Sequence, residues 1–552
     1  MTDLGQPADT PVSGPIQLVP LRPAATPRWV ESDLEVTNGR DPLGLEAIAT
    51  YRIMPQLLPA ILELSRRARY FSFFAYLIDE FARRYSAGTM AELDRFVRQA
   101  EYEFGFAVFS CSQCHGEGRG VLGEVRLRPA RRAQPPLLRR ELSVDTPLGG
   151  YGLFYRRPIE YLGLLAAAGT KLEDGRTLGV DRLANSRARF LADRFREAVA
   201  GTRWATDDLG GSDEIPRDHL IELAGAACLC RLSTAPRELA ALADAFMNAD
   251  DGAPAAVRAD ASLREKAFSH FLLSVRRDPG AATSAQAWRQ TLWSLAMDAE
   301  HGTSLEAESA AAWGAFAGRE FERAALGVLW HSVCRLGRLL HRDRGLTHGE
   351  FLEAVRTRLA TETTACGVPS PGSAAPTVDL AAAIESTLGN STLDAIVETA
   401  QRHQGALDAL AILLELNRRL PAVASMPTSW HEIGRIDGEH QDGLLAFAAH
   451  LDAHLGRSPT VADTLAWLVD RYILRPHDRV ATSKLPRHTF RFRYDSGRLF
   501  FFDTPSIDIG DGMLRHEALA MLTRDLDLWA PSPGGGMVTA AGNALIARAF
   551  RS

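Results

Sequence analysis

Cys111-Ser-Gln-Cys114-His115 is the stretch whose residue types and spacing come nearest to a recognisable chemistry. Two cysteines followed directly by a histidine match the pattern of covalent c-type haem attachment. Attachment needs export to an oxidising compartment, and Met1 to Thr26 has neither a basic start nor an apolar core, so haem is not expected. The same three residues could ligate zinc, but tetrahedral closure needs another pair. Cys228-Leu-Cys230 is too tight a pair for the usual knuckle and falls in an apolar helical stretch. These cysteines are therefore read as buried structural residues, with no metal and no cofactor. With Cys334 and Cys366 they make six, too few and too irregular for a disulfide framework, which fits a reducing cytoplasm.

Other spacings invite chemistry and lack the context for it. Gly118-Arg-Gly120-Val-Leu-Gly123 fits Gly-x-Gly-x-x-Gly, but a dinucleotide site needs a strand before the glycines and a helix after them. Here an aromatic helix precedes and a basic, proline-broken stretch follows, so the glycines are read as a turn. Histidines gather at His331, His341 and His348, and again at His431 and His440, near Asp343, Glu350, Glu432, Asp437 and Glu439. No His/carboxylate pair at helical i,i+4 spacing anchors a metal there, and a satisfied polar seam is the expectation. Only three of the 62 basic residues are lysines, Lys171, Lys266 and Lys484. None stands in a Walker A loop, an Asp/Glu-x-Lys nuclease motif, a phospholipase-D-type His-x-Lys, a kinase strand or a Ser-x-x-Lys set. His-Glu-x-x-His and Gly-x-Ser-x-Gly are also absent from the sequence.

The elements that must position such residues are mostly helical. At 552 residues, with 46% hydrophobic and 24% charged residues, the chain reads as several folded domains, and it contains no apolar run long enough to span a membrane. A net charge of −6 confines any polyanion contact to local patches, and the alanine- and arginine-rich bias is that of a high-GC bacterial genome. Residues 1–39 read as a disordered lead. A helical domain follows over 40–180, in which Tyr70, Phe73, Phe74, Leu77, Ile78 and Phe81 recur at helical spacing and are assigned to the core. Arg66, Arg67 and Arg69 at the start of that helix could bind an anion, but a solvated face or salt bridges to Glu63 and Asp79 are the expectation. Residues 126–140 carry six arginines and no acid, and Pro129, Pro135 and Pro136 predict a mobile basic loop there. Residues 181–360 form a central helical domain whose strongest helix is Phe316 to Leu340. A linker is expected over 361–376, then a further helical domain over 377–460.

Residues 461–552 change register. Thr464 to Tyr472 is helical, His488 to Asp503 alternates as two strands around Asp495-Ser-Gly497, and Leu514 to Leu528 is helical. A glycine turn follows, and Thr539 caps a last helix, Ala540 to Phe550. This order is winged-helix-like. The fold class predicted is mainly α, a multi-subdomain helical scaffold ending in an α+β module. Lys484, Arg487, Arg491, Arg493, Arg498, Arg515 and Arg524 of that module, with Arg126, Arg128, Arg131 and Arg132, are the candidate contacts to nucleic acid or a partner.

Arg40-Asp-Pro-Leu-Gly44, Arg67-Ala-Arg-Tyr-Phe-Ser-Phe-Phe74, Gly120-Val-Leu-Gly123 and Pro158-Ile-Glu-Tyr-Leu-Gly163 resemble the N-terminal third of a family of uncharacterised bacterial helical proteins. Members are often encoded near helicases and nucleases in antiphage-defence loci. The resemblance implies a genomic neighbourhood and carries no catalytic residues across. The expectation is a cytoplasmic, non-enzymatic subunit of a defence complex, binding DNA or other protein subunits and no membrane. The alternatives are a metal-dependent hydrolase or nuclease built on the His/carboxylate clusters, and a transcriptional regulator.

Overall fold

A computed structural model describes residues 41–114, 120–172, 174–211, 213–250, 252–298, 304–340, 344–369, 371–420, 428–434, 443–485, 489–502, 509 and 513–551. The lead over 1–39, His115, His341, Asp343, Asp437, Glu439, His440 and Arg487 lie outside the described residues. The chain is mainly helical, with small antiparallel sheets. None of its described helices is long and apolar enough to cross a membrane.

The N-terminal helices are built on aromatic packing. Helix α1 (Arg69–Arg84) buries Tyr70, Phe73, Phe74, Leu77, Ile78 and Phe81, so the stripe is core. Helix α2 (Met90–Phe109) opens with a capping box, the Thr89 side chain and Glu92 each satisfying the other's backbone N–H. Its Phe104 stacks on Phe73 with ring centroids 4.4 Å apart. The expected basic loop is instead helix α3 (Glu124–Ala133), followed by strand β1 (Leu137–Arg139). Pro129 costs that helix one hydrogen bond, to the carbonyl of the exposed Val125, while Leu127 is fully buried against the helix α2 backbone at Gly105. Burial outweighs the missing bond. Gly120 and Gly123 have φ of +81° and +72°, and the second sits at the start of α3, in keeping with the turn expected of those glycines.

Helix α4 (Ser186–Val199) packs on α1 through Phe195. Strand β2 (Glu214–Pro216) pairs antiparallel with β1 and leads into α5 (Arg217–Ala227), which lies against α2. Then come α6 (Pro236–Met247), α7 (Ala255–Arg277) and α8 (Ala285–Asp298). The Arg66–Arg69 cluster is ion-paired, but chiefly to remote carboxylates. Arg66 reaches Glu517 at 2.6 Å, Arg67 reaches Asp525 at 2.9 Å, and Arg69 reaches Glu238 at 2.7 Å. A partner hundreds of residues away leaves no local spacing signal.

Helix α9 (Leu305–Leu339) is 35 residues long and starts well before the predicted Phe316, on a Ser304 cap. It is buried on nearly every side, as expected of a helix at the centre of a large core. Gly314 and Gly337 let neighbours touch its backbone: a Cβ at Gly314 would fall 2.1 Å from Ala296 of α8, and one at Gly337 would fall 2.0 Å from the Phe501 ring. Helix α10 (Ala406–Arg419) flanks it. Residues 362–369 and 371–376 are irregular but pinned, with the backbone N–H groups of Ala365 and Cys366 donating to Asp408 and Pro376 bridging to Thr460.

The C-terminal order is as expected: a helical run over 461–483, strands β4 (Phe492–Asp495) and β5 (Arg498–Phe501), helix α11 (His516–Asp525), strands β6 (Trp529–Ser532) and β7 (Gly535–Val538), and helix α12 (Ala540–Ala549). Thr539 caps α12 by accepting from the Gly542 N–H. This part is woven into the body. Strand β5 also pairs with β3 (Leu346–Thr347), α12 packs on α7, and the β6–β7 turn lies so close that a Cβ at Gly535 would meet the Pro279 carbonyl.

Candidate functional site

Two features of the N-terminal half stand next to each other, a basic helix and a cluster of thiols. Helix α3 exposes Arg126, Arg128, Arg131 and Arg132, and β1 adds Arg139. At 100° per residue, Arg128, Arg131 and Arg132 fall within about 100° of arc, while Arg126 lies on the other flank of Leu127. Arg126 is 3.3 Å from Asp145, and Arg128 is 3.6 Å from Glu124. Such exposed pairs contribute little and leave both guanidinium groups able to exchange partners. Arg131, Arg132 and Arg139 form no ion pair among the described residues. The Arg131 guanidinium lies over the Phe109 ring, 4.7 Å from its centroid, which ties α3 to the end of α2. Arg140 is withdrawn from the patch, buried against Glu103, whose carboxylate also accepts from Trp204.

The C-terminal arginines are placed differently from the expectation. Arg491 is buried, because its backbone N–H donates to His477 Nε2 and the strand entry is enclosed by Phe490 and Phe492. Arg515 is also buried, in a left-handed conformation with φ of +66°, its N–H donating to Glu63. Arg498 donates to the carbonyls of Arg344 and Gly345, and Lys484 to that of Asp41. Arg493 is half-buried and 3.7 Å from Asp495; Arg524 is exposed. The expected hairpin surface is thus not one basic face, since tertiary packing consumes Arg491, Arg498, Arg515 and Lys484. In the histidine seam, His348 Nδ1 bonds the Tyr494 hydroxyl at 2.7 Å and its Nε2 lies 3.3 Å from Asp470.

The thiols converge where the sequence reading held them apart. Cys111 and Cys114 lie in the turn that ends α2. Cys228 is not inside an apolar helix but caps the end of α5, with φ −55° and ψ 149° turning the chain outward, and Cys230 lies exposed in the short 3-10 turn that follows. Sγ of Cys111 is 3.7 Å from Sγ of Cys230, and Sγ of Cys114 is 3.7 Å from Sγ of Cys228. All four sulfurs lie within 4.8 Å of one another, and among the described residues this is the one grouping of histidine, cysteine or carboxylate ligands close enough to hold an ion. Burial raises the Cys111 thiol, but polar interactions with the backbone of Cys114 and Gln113 and with the Cys228 and Cys230 thiols together lower it, to about 7. Burial pushes Cys230 up to about 11 and Cys228 higher still. Beneath the cluster, Arg69 Nη1 donates to the Cys228 carbonyl at 2.7 Å while its other nitrogens bind Glu238, which also accepts from Ser72. The residues missed by the sequence reading are Cys228 and Cys230 as partners of Cys111 and Cys114. The usable signal was the presence of two short-spaced cysteine pairs. No protein-family model matches the chain, and no curated protein or solved structure matches it.

Proposed function

We propose that this chain is a non-enzymatic binding subunit that contacts nucleic-acid phosphates through the arginines of α3 and β1, within a bacterial defence complex. The observation that carries the reading is the exposure of Arg126, Arg128, Arg131, Arg132 and Arg139 together on one short helix and the adjoining strand. Arginine forks suit phosphate oxygens, and a helix fixed by Leu127 and by the Arg131–Phe109 contact presents them with little ordering left to do. The N-terminal resemblance to proteins encoded beside helicases and nucleases supports the defence setting.

The test is a fluorescence-anisotropy titration of duplex and single-stranded DNA at several salt concentrations, with the wild type and Arg128→Glu/Arg131→Glu/Arg132→Glu. Each neutralised phosphate adds about 0.9 to the slope of log affinity against log salt, so three contacts predict a slope shallower by about 2.7 in the variant on duplex. Equal slopes in the two proteins would reject the phosphate reading. Footprints confined to one operator sequence would favour a transcriptional regulator instead.

A further inference from the structure

We propose that Cys111, Cys114, Cys228 and Cys230 bind one zinc ion as four thiolates, and that this centre staples the end of α2 to the turn between α5 and α6. The inference is independent of the nucleic-acid reading and rests on the sulfur geometry. A tetrahedral zinc with Zn–S bonds of about 2.3 Å has sulfur–sulfur edges of about 3.8 Å. Two opposite edges of the cluster, Cys111–Cys230 and Cys114–Cys228, already measure 3.7 Å, and all four sulfurs lie within 4.8 Å of one another. An ion at the centre therefore needs side-chain rotations and no refolding of the backbone.

The same distances dispose of the other uses of four cysteines. Covalent sulfur–sulfur bonds are about 2.05 Å long, far shorter than the separations here, and all four residues are free thiols. An iron–sulfur cluster carries several metal and sulfide atoms between its cysteines, and a group whose sulfurs all lie within 4.8 Å has no room for that body. A mononuclear tetrahedral ion fits. Soft thiolates in tetrahedral array select zinc or iron over the hard oxygen-seeking cations, and zinc is the redox-inert choice. Four protein ligands leave no coordination position for water or substrate, so the centre is structural.

The surroundings are arranged as a ligand shell would require. Arg69, fully buried and clamped by Glu238, fixes the Cys228 carbonyl and so sets the direction in which Cys228 leaves α5. The unusual Cys-x-Cys spacing works because the chain is extended at Cys228 and turns tightly after it, so the two sulfurs need not share a helix face. The staple joins residues more than a hundred positions apart, such as Cys114 and Cys228, at the foot of the arginine helix.

The experiment is elemental analysis of the untagged full-length protein purified without chelator, alongside Cys230→Ser and a control, Cys366→Ser. Cys230 is exposed, so its replacement removes a ligand with little effect on packing. The expected result is one zinc per chain in the wild type and in Cys366→Ser, and a fall of at least fivefold in Cys230→Ser. A second measurement does not depend on any variant: cobalt(II) added to the chelator-stripped wild type should give the intense sulfur-to-cobalt charge-transfer and tetrahedral d–d absorption of a tetrathiolate site, bleached by one equivalent of zinc. Substoichiometric zinc with no such cobalt spectrum, or zinc fully retained in Cys230→Ser, would overturn the proposal, and one iron per chain in place of zinc would overturn the choice of metal.

Discussion

Single side chains in this protein are held by groups the local sequence does not reveal, and His477 shows the consequence for pH. Its Nδ1–H donates to the Pro42 carbonyl at 3.1 Å and its Nε2 accepts the Arg491 N–H at 3.0 Å, so the ring is neutral and both nitrogens are used. Burial holds its pKa down to about 3, with Arg491 and Lys484 acting in the same direction. A proton on Nε2 would confront the Arg491 N–H donor. Because the folded value lies below the unfolded one of about 6.5, the neutral ring's stabilisation is complete above that pH and is lost as pH falls from about 6.5 toward 3. At pH 5 the loss is about 2 kcal/mol, at 1.36 kcal/mol per unit. The stability difference between wild type and His477→Gln, measured by denaturant titration, should therefore shrink by about that amount between pH 7 and pH 5. A gap constant with pH would mean that His477 is not the titrating group.

Among the elements, α3 owes its order to its neighbours. Its intrinsic case is poor: ten residues, an internal proline, and a single fully buried side chain, Leu127. Isolated helices of that length are marginal in water, so the contacts at its two ends decide. One end follows the Gly120–Gly123 turn, which the Tyr70 hydroxyl fastens by accepting the Leu122 N–H, and the other rests on Phe109, two residues before Cys111. Stripping metal from the thiol cluster should loosen the end of α2 and with it α3. Limited trypsin digestion read by mass spectrometry should then show cleavage after Arg126, Arg131 and Arg132 rising severalfold on chelation and falling again on adding zinc. Cleavage at these sites that ignores chelator would separate α3 from the centre.

For the whole molecule, the C-terminal part behaves as a clamp on the helical body. Asp525 of α11 accepts from both the Arg67 guanidinium and the Ala68 N–H, Arg66 pairs with Glu517, and β5 is the middle strand of a sheet whose outer strand, β3, belongs to the centre of the chain. Removing one partner of a pair this enclosed costs about 3–5 kcal/mol, because the other charge is left stranded. Asp525→Ala should lower the thermal midpoint of a single unfolding transition seen alike by circular dichroism and by tryptophan fluorescence. Two separated transitions in the variant would show instead that residues 461–552 fold as a detachable unit.

The sequence by itself determined what depends on near neighbours: the aromatic stripe of α1, the long apolar helix through Phe316–Leu340, and the hairpin, helix, ribbon and capped helix at the C-terminus. Those elements follow from periodicities of two and 3.6 residues and from turn and cap chemistry acting over a few positions. Only the tertiary structure decided the rest. Pro129 looked like a helix breaker because its lost hydrogen bond is local, whereas the burial of Leu127 that offsets it is not. Arg491 and Arg515 read as surface charge until packing enclosed them, and Arg67 and Arg69 found their carboxylates 458 and 169 positions away. Cys111 and Cys114, and Cys228 and Cys230, form two short-spaced pairs that stand more than a hundred positions apart along the chain. They become one cluster because α5 packs against α2 and brings its end to the end of α2, a juxtaposition that no spacing in the sequence encodes.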